Sequence, residues 1–136
     1  MKSLLRHTIL LLVATLTFFT SRADGNVTFE INTPLIVTAG EMFRVEFVLT
    51  NGDPDGDSFR TPSFEGLEVL AGPTTATGRS FQSINGVSSS KTTFTITYVV
   101  MAQTAGNITI GAAEVAVDGK KFSTKATPIE VVEASA

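Results

Sequence analysis

The chain has 136 residues, with 13 acidic against 10 basic side chains, a single His, no Cys and no Trp. His7 is the sole imidazole, so the chain beyond it has neither imidazole nor thiol. That excludes most nucleophilic and general-base chemistry at neutral pH, most zinc sites and any disulfide, and an acidic balance with no basic cluster speaks against nucleic acid, whose affinity comes largely from Lys and Arg neutralising phosphates.

Lys2, Arg6 and His7 open the chain, and the run from Ile9 to Phe19 carries no ionisable side chain. A charged start before a short apolar run is the pattern of a secretory signal peptide, and a membrane-spanning helix would need roughly 20 apolar residues. Ser21 and Ala23 stand at the third and first positions before a cut. Residues 1–23 are therefore expected to be a signal peptide and residues 24–136 the mature domain, starting at Asp24. Without the leader, Lys plus Arg falls from 10 to 7 against 13 acids, a net charge of about −6. The remaining length suffices for one hydrophobic core and not two.

From Val27 onward the apolar pattern has a period of two, which predicts strands and no helix. Val27, Phe29 and Ile31 alternate with Thr28 and Glu30 until Asn32, Thr33 and Pro34 interrupt, and Leu35 to Val37 continues the strand. After a turn at Gly40-Glu41, Phe43, Val45, Phe47 and Leu49 alternate with Arg44 and Glu46, the pattern of a strand with one buried face. The run Asn51 to Asp57 is rich in Gly, Pro, Asn and Asp, as a solvated loop requires. Leu67, Val69 and Leu70 predict a short strand that stops at Gly72-Pro73. Asn85-Gly86 predicts a two-residue hairpin between Ser80–Ile84 and a long return strand, in which Phe94, Ile96, Tyr98 and Val100 face the core and Thr93, Thr95 and Thr97 face away. Gln103 to Asn107 turns, Ile108 and Ile110 alternate, Glu114 to Val117 leads to a second hairpin at Asp118-Gly119, and Phe122 to Val132 closes the chain. About seven short strands at this spacing predict an all-β, immunoglobulin-like antiparallel β-sandwich.

Several of these segments carry motifs in a fixed order: Gly40-Glu41-x-Phe43-Arg44, Phe59-x-x-Pro62-x-Phe64-x-Gly66, Leu70-x-Gly72-Pro73, and the Asn85-Gly86 hairpin. Tyr98, Gly106, Ile110, Val117-Asp118-Gly119-Lys120 and Pro128-Ile129 follow. Together they resemble the first domain of the BatD family, the oxygen-tolerance or aerotolerance family of Bacteroides-type bacteria. The resemblance implies an exported, multidomain envelope protein of the periplasm. It would be tethered to the inner membrane by a later transmembrane helix and would work beside Bat proteins that carry von Willebrand factor A-type domains. This chain stops after one such domain, so membrane attachment is expected only through a C-terminal part that it lacks.

Asn51, Asp53, Asp55 and Asp57, with Gly56, mimic the start of a calcium loop, but the twelfth position, where a closing Glu belongs, is Pro62. A plain solvated turn is the competing reading, and no cofactor is implied. Glu65, Glu68 and Asp57 have no spacing that singles out a glycosidase pair. Tyr98 reads as a core aromatic bonding a loop backbone, as in a tyrosine corner, rather than as an acid. Asn26-Val27-Thr28 and Asn107-Ile108-Thr109 fit the glycosylation pattern but would stay unmodified in a bacterium. Phe59 and Phe64, set beside Pro and Gly, are candidate anchors for a partner; the alternative is that they plug the end of the sandwich. The Thr93 to Thr97 face and the edge strands could accept a partner's strand. The expected function is a non-catalytic interaction and assembly domain. A surface adhesin or glycan-binding module is the second reading, disfavoured by the lack of Trp and the single Tyr.

Overall fold

A computed structural model describes residues 26–135; the expected leader over 1–23 and the expected start at Asp24 lie outside the described residues. Nine strands follow one another: β1 (Thr28–Asn32), β2 (Ile36–Thr38), β3 (Met42–Thr50), β4 (Glu68–Ile84), β5 (Val87–Met101), β6 (Gly106–Ile110), β7 (Glu114–Val117), β8 (Lys120–Ser123) and β9 (Thr127–Val132). They form a four-stranded sheet in the order β1-β3-β5-β4, a three-stranded sheet β2-β9-β6 and a two-stranded sheet β7-β8.

The alternation read from the sequence decides what lies between the sheets. Val45, Phe47 and Leu49 of β3 and Ile96, Tyr98 and Val100 of β5 are buried, and they meet Val37, Ile110, Val115, Ile129 and Val131 from the other strands in one cluster. Phe47 sits at its centre, with ring centroids 6.5 Å from Phe29, 6.2 Å from Phe59 and 6.1 Å from Tyr98. Rings at such separations, tilted or edge-on, are in the favourable range for aromatic pairs.

Three expectations need correction. The first strand does not continue through residues 32–35: β1 pairs antiparallel with β3, whereas β2 crosses to the opposite sheet and pairs parallel with β9. Pro34, which cannot donate to a ladder, sits at the crossing. The closing strand is also divided. β8 pairs with β7 and β9 pairs with β6, and between them buried Thr124 bonds Ala113 twice, its N–H to the Ala113 carbonyl at 2.9 Å and its Oγ1 accepting from the Ala113 N–H at 2.9 Å.

The chain does not stop at Gly72-Pro73; β4 is a single strand of 17 residues, longer than its 15-residue partner β5. Register shifts between Val69 and Ala71 and between Ala71 and Thr74 absorb the irregularity. Gly72 makes the bulge feasible, because it holds φ at +110° and a Cβ there would lie 2.6 Å from the Thr97 carbonyl oxygen.

Candidate interaction surface

The β4–β5 pair begins as part of the sandwich and leaves it. β3 accompanies β5 only as far as the Thr50–Thr93 pair, whereas β4 stays paired with β5 from Thr92 to the turn at Asn85-Gly86. The last section is thus a two-stranded ribbon. Asn51 marks its base: its N–H donates to the Thr92 carbonyl at 2.8 Å, and its Oδ1 accepts from the Thr92 N–H at 3.3 Å. At the far end Asn85 and Gly86 take φ of +52° and +77°, as a type I′ turn demands.

Every residue of β4 is exposed, and on its outer side no strand among the described residues pairs with it. Edge strands are normally kept short or guarded by charges, Pro or bulges, because their open ladder invites another strand. From Thr74 to Ile84 β4 has no Pro, and Arg79 is its one charge. The ribbon also presents apolar surface: Phe81 is 73% exposed, Ile84 57% and Val87 70%. Two strands without a covered face are marginal in water.

Phe59 and Phe64 are half-buried and pack on the core. Phe59 faces Phe47, and the Phe64 ring lies edge-on to Tyr98 at 5.1 Å. Both rings pack onto the sandwich core rather than standing free of it. Phe59 does, however, wall a hollow of about 240 Å³ at the β4 margin, together with Pro54, Pro73, Thr75, Phe94 and Ile96.

The acidic loop is turned to the domain's own use. Asp55 accepts from the Asp118 N–H at 2.9 Å on Oδ1 and from the Gly119 N–H at 2.8 Å on Oδ2, and its own N–H donates to the Ala116 carbonyl at 2.8 Å. The Ser58 hydroxyl both donates to the Ala116 carbonyl and accepts from the Ala116 N–H. Asn51 points instead to Thr92 and to the Asn26 carbonyl, while Asp53 and Asp57 are exposed. The loop therefore latches the β7–β8 hairpin rather than converging on one point. No group of three or more His, Cys, Asp or Glu among the described residues is placed to hold a metal ion.

Glu65 and Glu68 are exposed, and the Glu68 carboxylate accepts from the Gln103 amide at 2.8 Å. Tyr98 is 3% exposed, and its hydroxyl meets the Thr61 side chain at 3.1 Å, not a loop backbone as expected. It is unavailable as a stacking platform for a sugar. No helix among the described residues is long and apolar enough to cross a membrane.

A family model described as the BatD DUF11-like domain matches residues 33–131. A search of the curated proteins finds no match. Among solved structures, a cohesin module from the Clostridium perfringens ATCC13124 family 33 glycoside hydrolase is similar at 13% identity, with a TM-score of 0.37, over 81% of this chain and 98% of that one. The matched family span takes in all of β2 to β8 and nearly all of β9, so the chain belongs to the BatD family through its DUF11-like domain.

Proposed function

We propose that this β-sandwich is a non-catalytic interaction and assembly domain of an exported BatD-like envelope protein, and that it docks by adding a partner's strand to the free edge of β4. The observation that carries the reading is that edge: 17 residues, all exposed, open along its outer side. In strand addition the main chain supplies affinity, and side chains on alternate positions supply specificity. The composition supports the non-catalytic part, since the body of the chain has no Cys or His and Tyr98 is buried in the core. Membership of the BatD family supports an envelope setting in the periplasm, partners of the Bat type with von Willebrand factor A-type domains, and a part in aerotolerance.

A test follows from the ladder. In a two-residue hairpin the closing pair, Ile84 and Val87, exchanges both backbone hydrogen bonds, and the bonds then alternate along the strands. Thr75, Thr77, Arg79 and Phe81 thus aim their N–H and C=O groups at the free edge. Thr77→Pro removes an outward donor without breaking the β4–β5 ladder. Pull-down from a membrane extract with the full-length protein should recover envelope proteins with von Willebrand A-type domains, and Thr77→Pro should lose them. Equal recovery by both would refute docking at this edge.

A further inference from the structure

The free edge of β4 carries both halves of a contact. Phe81 lies on the same face as Phe94 and Ile96, because its cross-strand partner is Ser90 and side chains of one face recur every second residue. Phe81 is 73% exposed. On that face and on the same strand, toward the bulge, lies the hollow walled by Pro54, Phe59, Pro73, Phe94 and Ile96. A strand with an apolar knob at one end and an apolar hollow at the other complements a copy of itself running antiparallel.

The geometry points to a second copy of this chain as the occupant of the β4 edge, with the two strands antiparallel about a two-fold axis at Thr77. This rests on β4 being a strand-pairing edge, for which the second copy and an envelope partner's strand compete, so that the partner docks by displacing the second copy. In that register Thr77 faces its own counterpart, Thr75 faces Arg79 of the second copy, and Phe81 faces Pro73 of the second copy. All of these except Pro73 lie on the regular ladder, and the residues that meet are those whose backbone groups point outward, giving about six hydrogen bonds between copies. Each Phe81 ring arrives at the lip of the other copy's hollow. A two-fold contact of this kind closes on itself and does not propagate into a fibre.

Three features agree with this register. The two Arg79 side chains start roughly 14 Å apart along the paired strands, beyond the screening length of about 8 Å at physiological salt, so they do not oppose pairing. The ribbon, two-stranded in one copy, gains a third strand from the other. Ser88, Ser90 and Thr92, on the core-facing side of β5 beside Phe81, are hydroxyl side chains, so β5 offers Phe81 no apolar cover there.

The chain has no cysteine, which makes the register directly readable. The exported full chain, followed by light scattering and by oxidation of single-cysteine variants, is the system to use. Wild type is expected at twice the chain mass. Thr77→Cys is expected to cross-link, since facing Cα atoms in a hydrogen-bonded pair lie about 5.5 Å apart, within disulfide reach. Thr75→Cys is expected not to, its two copies being roughly 14 Å apart. Phe81→Ser should leave the melting profile of the isolated chain intact, because the ring is exposed, and weaken the dimer on the order of a hundredfold or more. A wild type that stays monomeric at several hundred micromolar, cross-linking by Thr75→Cys in preference to Thr77→Cys, or a dimer indifferent to Phe81→Ser would each overturn the self-pairing. If the chain is monomeric yet Thr77→Pro still loses an envelope partner, the edge reading stands and only the second copy is refuted.

Discussion

Asp55 offers the most direct test of how the acidic loop works. Its carboxylate takes the Asp118 and Gly119 N–H groups at 2.9 and 2.8 Å, both from the turn that joins β7 to β8, and those strands bring buried Val115 and Val117 and half-buried Phe122 to the core. Hydrogen bonds to a charged group contribute about 1.5–3 kcal/mol each when well buried and less near the surface. Asp55 is half-exposed, so Asp55→Ala should cost about 2 kcal/mol for the pair. Asp55→Asn keeps one acceptor and sets an amide donor against the other N–H, for a loss of about 1–2 kcal/mol. For a domain of this size 2 kcal/mol corresponds to a fall of about 8 °C in Tm. Urea unfolding followed by circular dichroism should give a lower midpoint with an unchanged slope. An unshifted midpoint refutes the latch. Calcium provides the second arm: a site loaded to 100 times its Kd would add about 2.7 kcal/mol, so a millimolar Ca²⁺ rise in the wild-type Tm that Asp55→Ala abolishes would assign the carboxylate to a cation instead.

The core and the bulge make further predictions. Phe47→Ala removes the ring that contacts Phe29, Phe59 and Tyr98 and should cost about 3–5 kcal/mol, a large part of the 5–15 kcal/mol typical of a domain, read as protease sensitivity of the chain at 37 °C. Thr124→Val is close to isosteric but strands the buried Ala113 N–H, so its unfolding free energy from urea titration should fall by about 1–3 kcal/mol, whereas Thr124→Ser should stay near wild type. Gly72→Ala places a Cβ 2.6 Å from the Thr97 carbonyl oxygen. It should cost at least about 2 kcal/mol, whereas the same substitution at Gly86, with nothing within 4 Å, should cost only the roughly 1 kcal/mol of a positive φ.

What the sequence made legible is what local rules govern. The alternations around Val45, Phe47 and Leu49 and around Ile96, Tyr98 and Val100 identify buried faces, because a sheet with one dry side places alternate side chains in it whatever the topology. Asn85-Gly86 and Asp118-Gly119 identify turns because few other pairs tolerate two consecutive positive φ values, and both turns are where the pattern put them. The crossing of β2 to the opposite sheet was not legible, because its parallel partner β9 lies more than ninety residues away and leaves no mark on Ile36–Thr38. The same holds for Asp55, whose acceptors are met by amides 63 and 64 residues on; the residue spacing alone suits a turn and a calcium loop equally well.

The β4 edge lies between these cases. Gly72-Pro73 reads locally as a stop, and only continuous pairing with β5 carries the strand past it. Yet the ribbon did leave a trace. In the return strand the core-facing positions run Val100, Tyr98, Ile96, Phe94 and then Thr92, Ser90, Ser88, so the side bound for a dry interior turns to hydroxyls at the residue where β3 ends. A strand that keeps its length after its core face has become polar extends beyond the sandwich. Phe81, apolar on that same face opposite Ser90, is then a side chain that the described residues leave 73% exposed. The exposed ring, the uncovered ladder and the loss of apolar residues on β5 are one observation made at three positions: the β4–β5 pair continues past the point where the other described strands cover it.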